Sequence, residues 1–160
     1  MKRIIDRLDI KILNIIQSDG RIPNVDIARK VGLAPSAVLE RIRKLEQAGV
    51  IRGYAALLDP RVIGQRMLAF IAVQTAEQPG EDRIARTLAR MPEILEVHHV
   101  AGDDCFLVKL RARDADHVGE LLKTKIGRIP GVRSTRTTIV LGPEKETPAL
   151  PIESVEEGGS

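Results

Sequence analysis

Asn24-Val25-Asp26-Ile27-Ala28-Arg29-Lys30-Val31-Gly32-Leu33-Ala34-Pro35-Ser36-Ala37-Val38-Leu39-Glu40-Arg41-Ile42-Arg43-Lys44-Leu45 reads as two short amphipathic helices meeting at a turn. Ile27 and Val31 stand four apart and mark the buried side of the first helix, which opens at an Asn24 cap. Gly32 stops it, since a glycine adopts the left-handed conformation that ends a helix. Pro35 suits the first position of the second helix, which continues to about Ala48 before Gly49. Val38, Ile42 and Leu45 form its core stripe, and Ala28 leaves room for a close crossing. At roughly 100° per residue the opposite side carries Ser36, Glu40, Arg43 and Gln47, flanked by Ala37 and Lys44.

A polar outward face on the second helix of such a pair suits the major groove of duplex DNA, which admits one helix. Arg43 can offer two parallel donors to guanine, and Glu40 can accept from the amino group of cytosine. Arg29, Lys30, Arg41 and Arg52 suit phosphate, which positions a protein without reading sequence. Asn24 and Pro35, at the two helix starts, belong to the same candidate interface. The competing reading is a small helical bundle whose charged sides merely face solvent.

Upstream, Asp6 is a candidate N-cap, with Ile5 before it and Ile10 inside the helix as a hydrophobic staple. Leu8, Ile12, Ile15 and Ile16 share a face, and Ser18-Asp19-Gly20 ends the helix after Gln17. Downstream, Val50 to Leu58 is expected to be a strand, broken by Asp59-Pro60. Residues 1–60 thus form a winged helix-turn-helix domain, and residues 61–66 a linker.

From Met67 the pattern changes. Met67 to Val73 is almost continuously apolar, as in a strand covered on both faces. A helix carries Ile84, Leu88 and Met91, and strands follow over Ile94 to Val100 and Cys105 to Leu110. Asp114 caps a second helix with Val118, Leu121, Leu122 and Ile126, and Val132 to Leu141 is the last strand. The order is βαββαβ. Arg90-Met91-Pro92-Glu93-Ile94 is echoed by Arg128-Ile129-Pro130-Gly131-Val132, as two side-by-side halves of a ferredoxin-like sheet would require. The chain is therefore α+β: a winged helix-turn-helix followed by a ferredoxin-like domain over 67–142. Pro143, Pro148, Pro151 and a Glu-rich Gly-Gly-Ser end predict a disordered acidic tail over 143–160.

Composition narrows the function. Residues 1–60 hold eleven Lys/Arg against seven Asp/Glu, while residues 143–160 hold one against five. The acidic tail hides a basic body suited to a polyanionic partner, although a merely solvated basic surface would look the same. With two Phe, one Tyr and no Trp, the chain lacks the stacking platforms of single-strand binders. One cysteine permits no internal disulfide, and no Cys/His cluster has zinc spacing. His98 and His99, adjacent on a strand, point to opposite faces and cannot share a metal. No triad, phosphate loop or dinucleotide fingerprint is present, so neither a cofactor, a metal nor catalysis is expected. No segment approaches the roughly 18 apolar residues of a membrane span, and the expected location is the cytoplasm.

Taken together, Asp26, Ile27, Gly32, Leu33, Arg41, Leu45 and Gly49, then Val50-Ile51-Arg52-Gly53-Tyr54 and Arg136-Thr137, resemble the leucine-responsive/asparagine-type (Lrp/AsnC, feast-or-famine) regulators over residues 4–141. One departure is Ala34, where members usually place Ser or Thr; a missing cap hydroxyl costs about 1 kcal/mol. The resemblance implies a transcriptional regulator whose second domain pairs sheet to sheet with a partner copy, with dimers often assembling into octamers. A two-fold dimer would set two recognition helices about one DNA turn apart, on a near-palindromic operator.

The resemblance further implies an effector, usually an amino acid, near the turn Gly102-Asp103-Asp104-Cys105, with Thr135, Thr137 and Thr138 as further lining. Many members carry Gly-Asp-aromatic-Asp there, whereas this chain has Asp104 and Cys105 at the last two positions. Asp103-Asp104 reads equally as an ammonium partner or a solvated turn, and Cys105 as a small strand residue. Sirohaem decarboxylases, which resemble the same layout without DNA binding, are the enzymatic alternative. A stand-alone amino-acid-binding assembly is the third, and its usual form lacks residues 1–60.

Overall fold

The computed structural model describes residues 5–77, 81–102 and 105–152. They form two compact units, the first of residues 5–57 and 146–152, the second of residues 58–145.

In the first unit α1 (Arg7–Ser18), α2 (Asn24–Val31) and α3 (Pro35–Gln47) pack around Ile12, Ile27, Ala28, Val38 and Ile42. Each large aliphatic buried here stabilises the unit by about 1.5–3 kcal/mol relative to exposure. Asp6 caps α1 as expected: its carboxylate accepts from the backbone N–H of Leu8 and Asp9, and Asp9 returns a bond to the Asp6 N–H. Gly32 ends α2 at φ +73°, a conformation a side chain would strain.

Three expectations need correction. Asn24 is the first residue of α2, and Pro23 is its cap: the Pro23 carbonyl accepts from Asp26 and Ile27 N–H, with no side-chain cap. Residues 50–58 are not a strand, because no described residue supplies a ladder partner; they leave α3 with the Val50 and Ile51 N–H groups bonded to the Leu45 carbonyl. The segment expected to be disordered from residue 143 is held at Leu150, which exchanges two hydrogen bonds with Gln17 of α1; residues 153–160 lie outside the described residues.

The linker also has more structure than its sequence suggests. A turn over 59–65 is closed by Gln65 N–H to the Pro60 carbonyl at 2.7 Å.

The second unit contains β1 (Met67–Thr75), α4 (Arg83–Ala89), β2 (Ile94–His99), β3 (Phe106–Ala112), α5 (Ala115–Thr124), a single 3-10 turn (Ile126–Arg128) and β4 (Val132–Val140). Ile126 falls on that 3-10 turn and not on the preceding helix. The antiparallel sheet has the order β2-β3-β1-β4, the ferredoxin-like arrangement the βαββαβ order demands. The internal echo is real at the level of hydrogen bonds. Ile94 N–H donates to the Met91 carbonyl and Val132 N–H to that of Ile129, both at 3.1 Å. The same turn thus carries each half from helix into strand.

Side-chain alternation divides the sheet. Ala69, Ile71, Val73, Phe106, Val108, Leu110 and Ala112 pack with Ile84, Leu88, Val118, Leu121 and Ile126. In register on the opposite face stand Leu68, Phe70 and Ala72 of β1, Leu107, Lys109 and Arg111 of β3, and Arg136, Thr138 and Val140 of β4. That face joins an apolar middle to charged surroundings.

Candidate DNA interface and effector site

The outward side of α3 is built by its own periodicity. Val38, Ile42 and Leu45 are buried, which leaves Ser36, Glu40, Arg43 and Gln47 exposed. Glu40 and Lys44 form an exposed i,i+4 ion pair at 2.7 Å, and the hydrogen bond from Lys44 holds the Glu40 carboxyl below its usual range. Ala37, Glu40, Arg41, Lys44 and Leu45 line a shallow cleft of about 370 Å³ with Asp9 of α1. Ala34 caps α3 without a side-chain bond, as its sequence implies, and Pro35 follows in the first turn. On α2, Arg29 pairs with Asp26 at 3.0 Å while Lys30 is exposed; Arg52 is exposed beyond α3.

Arg41 departs from the role expected of it. Its Nη1 lies 2.7 Å from Asp6 Oδ2 and 2.7 Å from Asp9 Oδ1, so the guanidinium ties α3 to the capping box of α1. Asp6 and then Asp9 raise the Arg41 pKa through these bonds. No property of Arg41 in the sequence marks this: the partners lie 35 and 32 residues away, and only tertiary packing brings them together.

The turn between β2 and β3 is closed by Val100 N–H to the Cys105 carbonyl at 3.1 Å. Gly102 adopts φ +126° and is exposed. Cys105 is a half-buried free thiol whose N–H donates to the Val73 carbonyl. Asp103 and Asp104 lie outside the described residues. The three threonines do not share a face. Thr138 is in register with Phe70 on the open side of the sheet, whereas Thr135 and Thr137 pair with Val73 and Ile71 on the helix-covered side. A strand's period of two separates them, so one ligand on the open face can meet Thr138 alone.

A depression of about 290 Å³ lies on that open face, lined by Phe70, Ala72, Val100, Leu107, Arg136 and Thr138. Nothing along the chain marks its apolar floor and Arg136 as one site, because only cross-strand register brings them together. Beside it, His98 Nε2 lies 2.9 Å from Glu96 Oε2, and Lys109 Nζ donates to Glu96 Oε1 at 3.2 Å. The bond with His98, then that from Lys109, holds Glu96 below the usual carboxylate range. His99 instead faces Phe106, their ring centroids 5.3 Å apart, so the two histidines do diverge. Among the described residues no group of three His, Cys, Asp or Glu can hold a metal ion. No helix among them is long and apolar enough to cross a membrane.

Helix-turn-helix and ferredoxin-like units each match a known family model. Residues 5–52 match a winged helix-turn-helix DNA-binding family, and residues 68–150 match the Lrp/AsnC ligand binding domain. The protein is therefore a transcriptional regulator that joins a DNA-binding unit to a ligand-binding one. It is 43% identical to the HTH-type transcriptional regulator FL11 of Pyrococcus horikoshii over 152 residues, 95% of this chain and 99% of that one. It is 39% identical to the leucine-responsive regulatory protein of Escherichia coli over 153 residues, 94% and 93% of the two chains. A transcriptional regulator of Neisseria meningitidis, solved in complex with L-Met, superposes with a TM-score of 0.87 at 32% identity, covering 92% of this chain and 96% of that one. The chain belongs to the Lrp/AsnC family of transcriptional regulators. Its relatives are regulators and not enzymes, which removes the decarboxylase alternative.

Proposed function

We propose that the protein binds a near-palindromic operator in double-stranded DNA as a homodimer or an octamer built from dimers, and that an amino acid modulates this binding. It does so in the cytoplasm. The observation that carries the reading is the exposed row Ser36, Glu40, Arg43 and Gln47 on a helix anchored by Val38, Ile42 and Leu45. Arg43 reads guanine, Glu40 accepts from cytosine, and Arg29, Lys30, Lys44 and Arg52 meet phosphate, with Asn24, Pro35 and Ala37 close to the backbone. Arg41 contributes by holding α3 to α1.

Pairing of copies is supported by the open sheet face, where Phe70, Leu107 and Val140 remain partly exposed beside the buried Leu68 and Ala72. An amino-acid effector is supported by the Neisseria relative with bound L-Met. The proposed effector site is the Gly102–Cys105 turn together with Thr138 of the open face.

Footprinting across promoters of the source organism, with and without each of the twenty amino acids, tests the reading. Protection of paired half-sites that one amino acid alters is the expected result, and absence of any protected site at moderate salt rejects it. A thermal-shift screen against the same amino acids identifies the effector, because a ligand of the folded state raises Tm.

A further inference from the structure

Two stretches of the ferredoxin-like unit, 83–92 and 121–143, contain no acidic residue, and the fold brings them together. Arg83, Arg86 and Arg90 stand three and four apart on α4 and its C-cap, within about 60° of one another around the helix. All three are exposed, because Ile84 and Leu88 turn the other side of α4 into the core. Arg83 Nη2 donates to the Pro130 carbonyl at 2.8 Å and lies 3.1 Å from where a Cβ on Gly131 would sit. Arg128 and Arg133 flank that turn and are exposed as well. Arg133 has no ladder partner, since the register steps from Gln74–Ser134 to Thr75–Val132. Five arginines therefore gather around α4 and the turn that enters β4.

Folding does not account for them. Arg90 and Arg128 head the two echoed turns, yet backbone bonds of Met91 with Ile94 and of Ile129 with Val132 close those turns. Among the described residues the arginines meet two carboxylates in ion pairs. Arg86 lies 2.7 Å from the exposed Asp82, and Arg83 Nε lies 3.6 Å from the buried Glu77. An exposed pair of this kind is screened and holds its partners weakly. Positive charge remains in excess at Arg90, Arg128 and Arg133.

We propose that Arg83, Arg86, Arg90, Arg128 and Arg133 form a second duplex-binding surface, carried by the ferredoxin-like unit alone, that takes phosphate and reads no base. The proposal rests on the reading of the protein as a DNA-binding regulator. Arginine offers a planar fork of donors that matches phosphate, and all five cations are arginine. The row along α4 rises about 10 Å, a length over which a duplex presents about six phosphate charges. The unit's two phenylalanines, Phe70 and Phe106, lie in the sheet, so no platform for stacking single-stranded bases stands among the arginines.

The test compares the full chain with Arg90→Gln/Arg128→Gln/Arg133→Gln, which leaves the packed Arg83 in place. A control, Arg61→Gln/Arg66→Gln/Arg113→Gln, removes the same charge from exposed positions elsewhere. Binding to a mixed-sequence duplex of about thirty base pairs is titrated over a range of salt. The slope of log affinity against log salt should become shallower by about 2–3 in the first variant, with affinity at low salt falling at least about tenfold. The control should keep its slope, and the preference of either variant for a protected promoter over random duplex should not change. If the first variant melts early, Arg90→Gln/Arg133→Gln replaces it, with a change in slope of about 2.

An unchanged slope overturns the proposal. So does an equal change in the control, which would assign the effect to net charge. A preserved slope with weakened binding of polyglutamate would give the surface to an acidic protein and also overturns it. If random duplex is bound but no promoter is preferred, the operator reading fails alone and the slopes still decide this surface. If the full chain binds no duplex at low salt, both fail.

Discussion

Arg41 Nη1 lies 2.7 Å from Asp9 Oδ1, and this contact binds the middle of the recognition helix to the start of the first helix. The Asp9 side chain is only 13% exposed, so its charge depends on the guanidinium for compensation. The same nitrogen serves Asp6, the cap of α1. Arg41→Ala should therefore destabilise the helical unit by about 1–2 kcal/mol, seen as an earlier urea midpoint with an unchanged m-value. A full-strength fold with weakened DNA binding would instead return Arg41 to phosphate contact.

Acid should act on the same place. The Asp6 carboxyl is held below its ordinary range, first by the backbone N–H of Asp9 and then by Arg41, against a partial desolvation cost. A carboxylate with a depressed folded-state pKa contributes stability above its unfolded pKa, and that contribution is lost as pH falls through the folded value. Thermal melts of the helical unit should hold level above about pH 5 and decline below about pH 4. Asp6→Asn should flatten part of that decline; an identical acid limb in the variant would exclude Asp6 as its source.

Arg43 is exposed, and its expected work is done entirely on DNA. Arg43→Ala should leave Tm unaltered and cost about 1–3 kcal/mol at a specific site, with relaxed preference at one base position. Competition titrations with specific and random duplexes measure this, and equal losses on both would remove Arg43 from base reading.

Ala34 occupies a cap position at φ −70° and ψ 146° with no side chain able to bond. Ala34→Ser supplies the missing acceptor and should stabilise the unit by about 1 kcal/mol. A melting temperature that does not rise would mean that the α3 N–H groups already find water at no cost.

Leu107 sits in register with Ala72 and His98 on the open sheet face and is itself 36% exposed. Leu107→Asp should leave the fold of the unit intact and shift the protein towards monomer in light scattering. A variant of unchanged mass would place the subunit contact elsewhere.

Much of this protein was legible along the chain because its signals are local. The spacing of Val38, Ile42 and Leu45 dictates which residues α3 exposes, since helical rotation depends on sequence separation alone. The same holds for the Asp6 cap, for Gly32 at the end of α2, and for the paired turns at Met91-Pro92 and Ile129-Pro130, all closed by bonds within a few residues. The divergence of His98 and His99 is equally local, a consequence of the strand's alternation.

Tertiary structure decided whatever depends on residues distant in sequence. Along the chain Arg41 reads as a free cation suited to phosphate, and only the fold sets Asp6 and Asp9 against it. Thr135, Thr137 and Thr138 looked like one cluster until register placed Thr138 on the other side of the sheet. The tail looked disordered because nothing within 147–152 shows that Gln17, 133 residues earlier, will complete its backbone bonds. Short-range order follows from backbone geometry, which each residue carries with it; long-range pairing exists only once burial of Ile12, Val38 and their neighbours has brought the helices together.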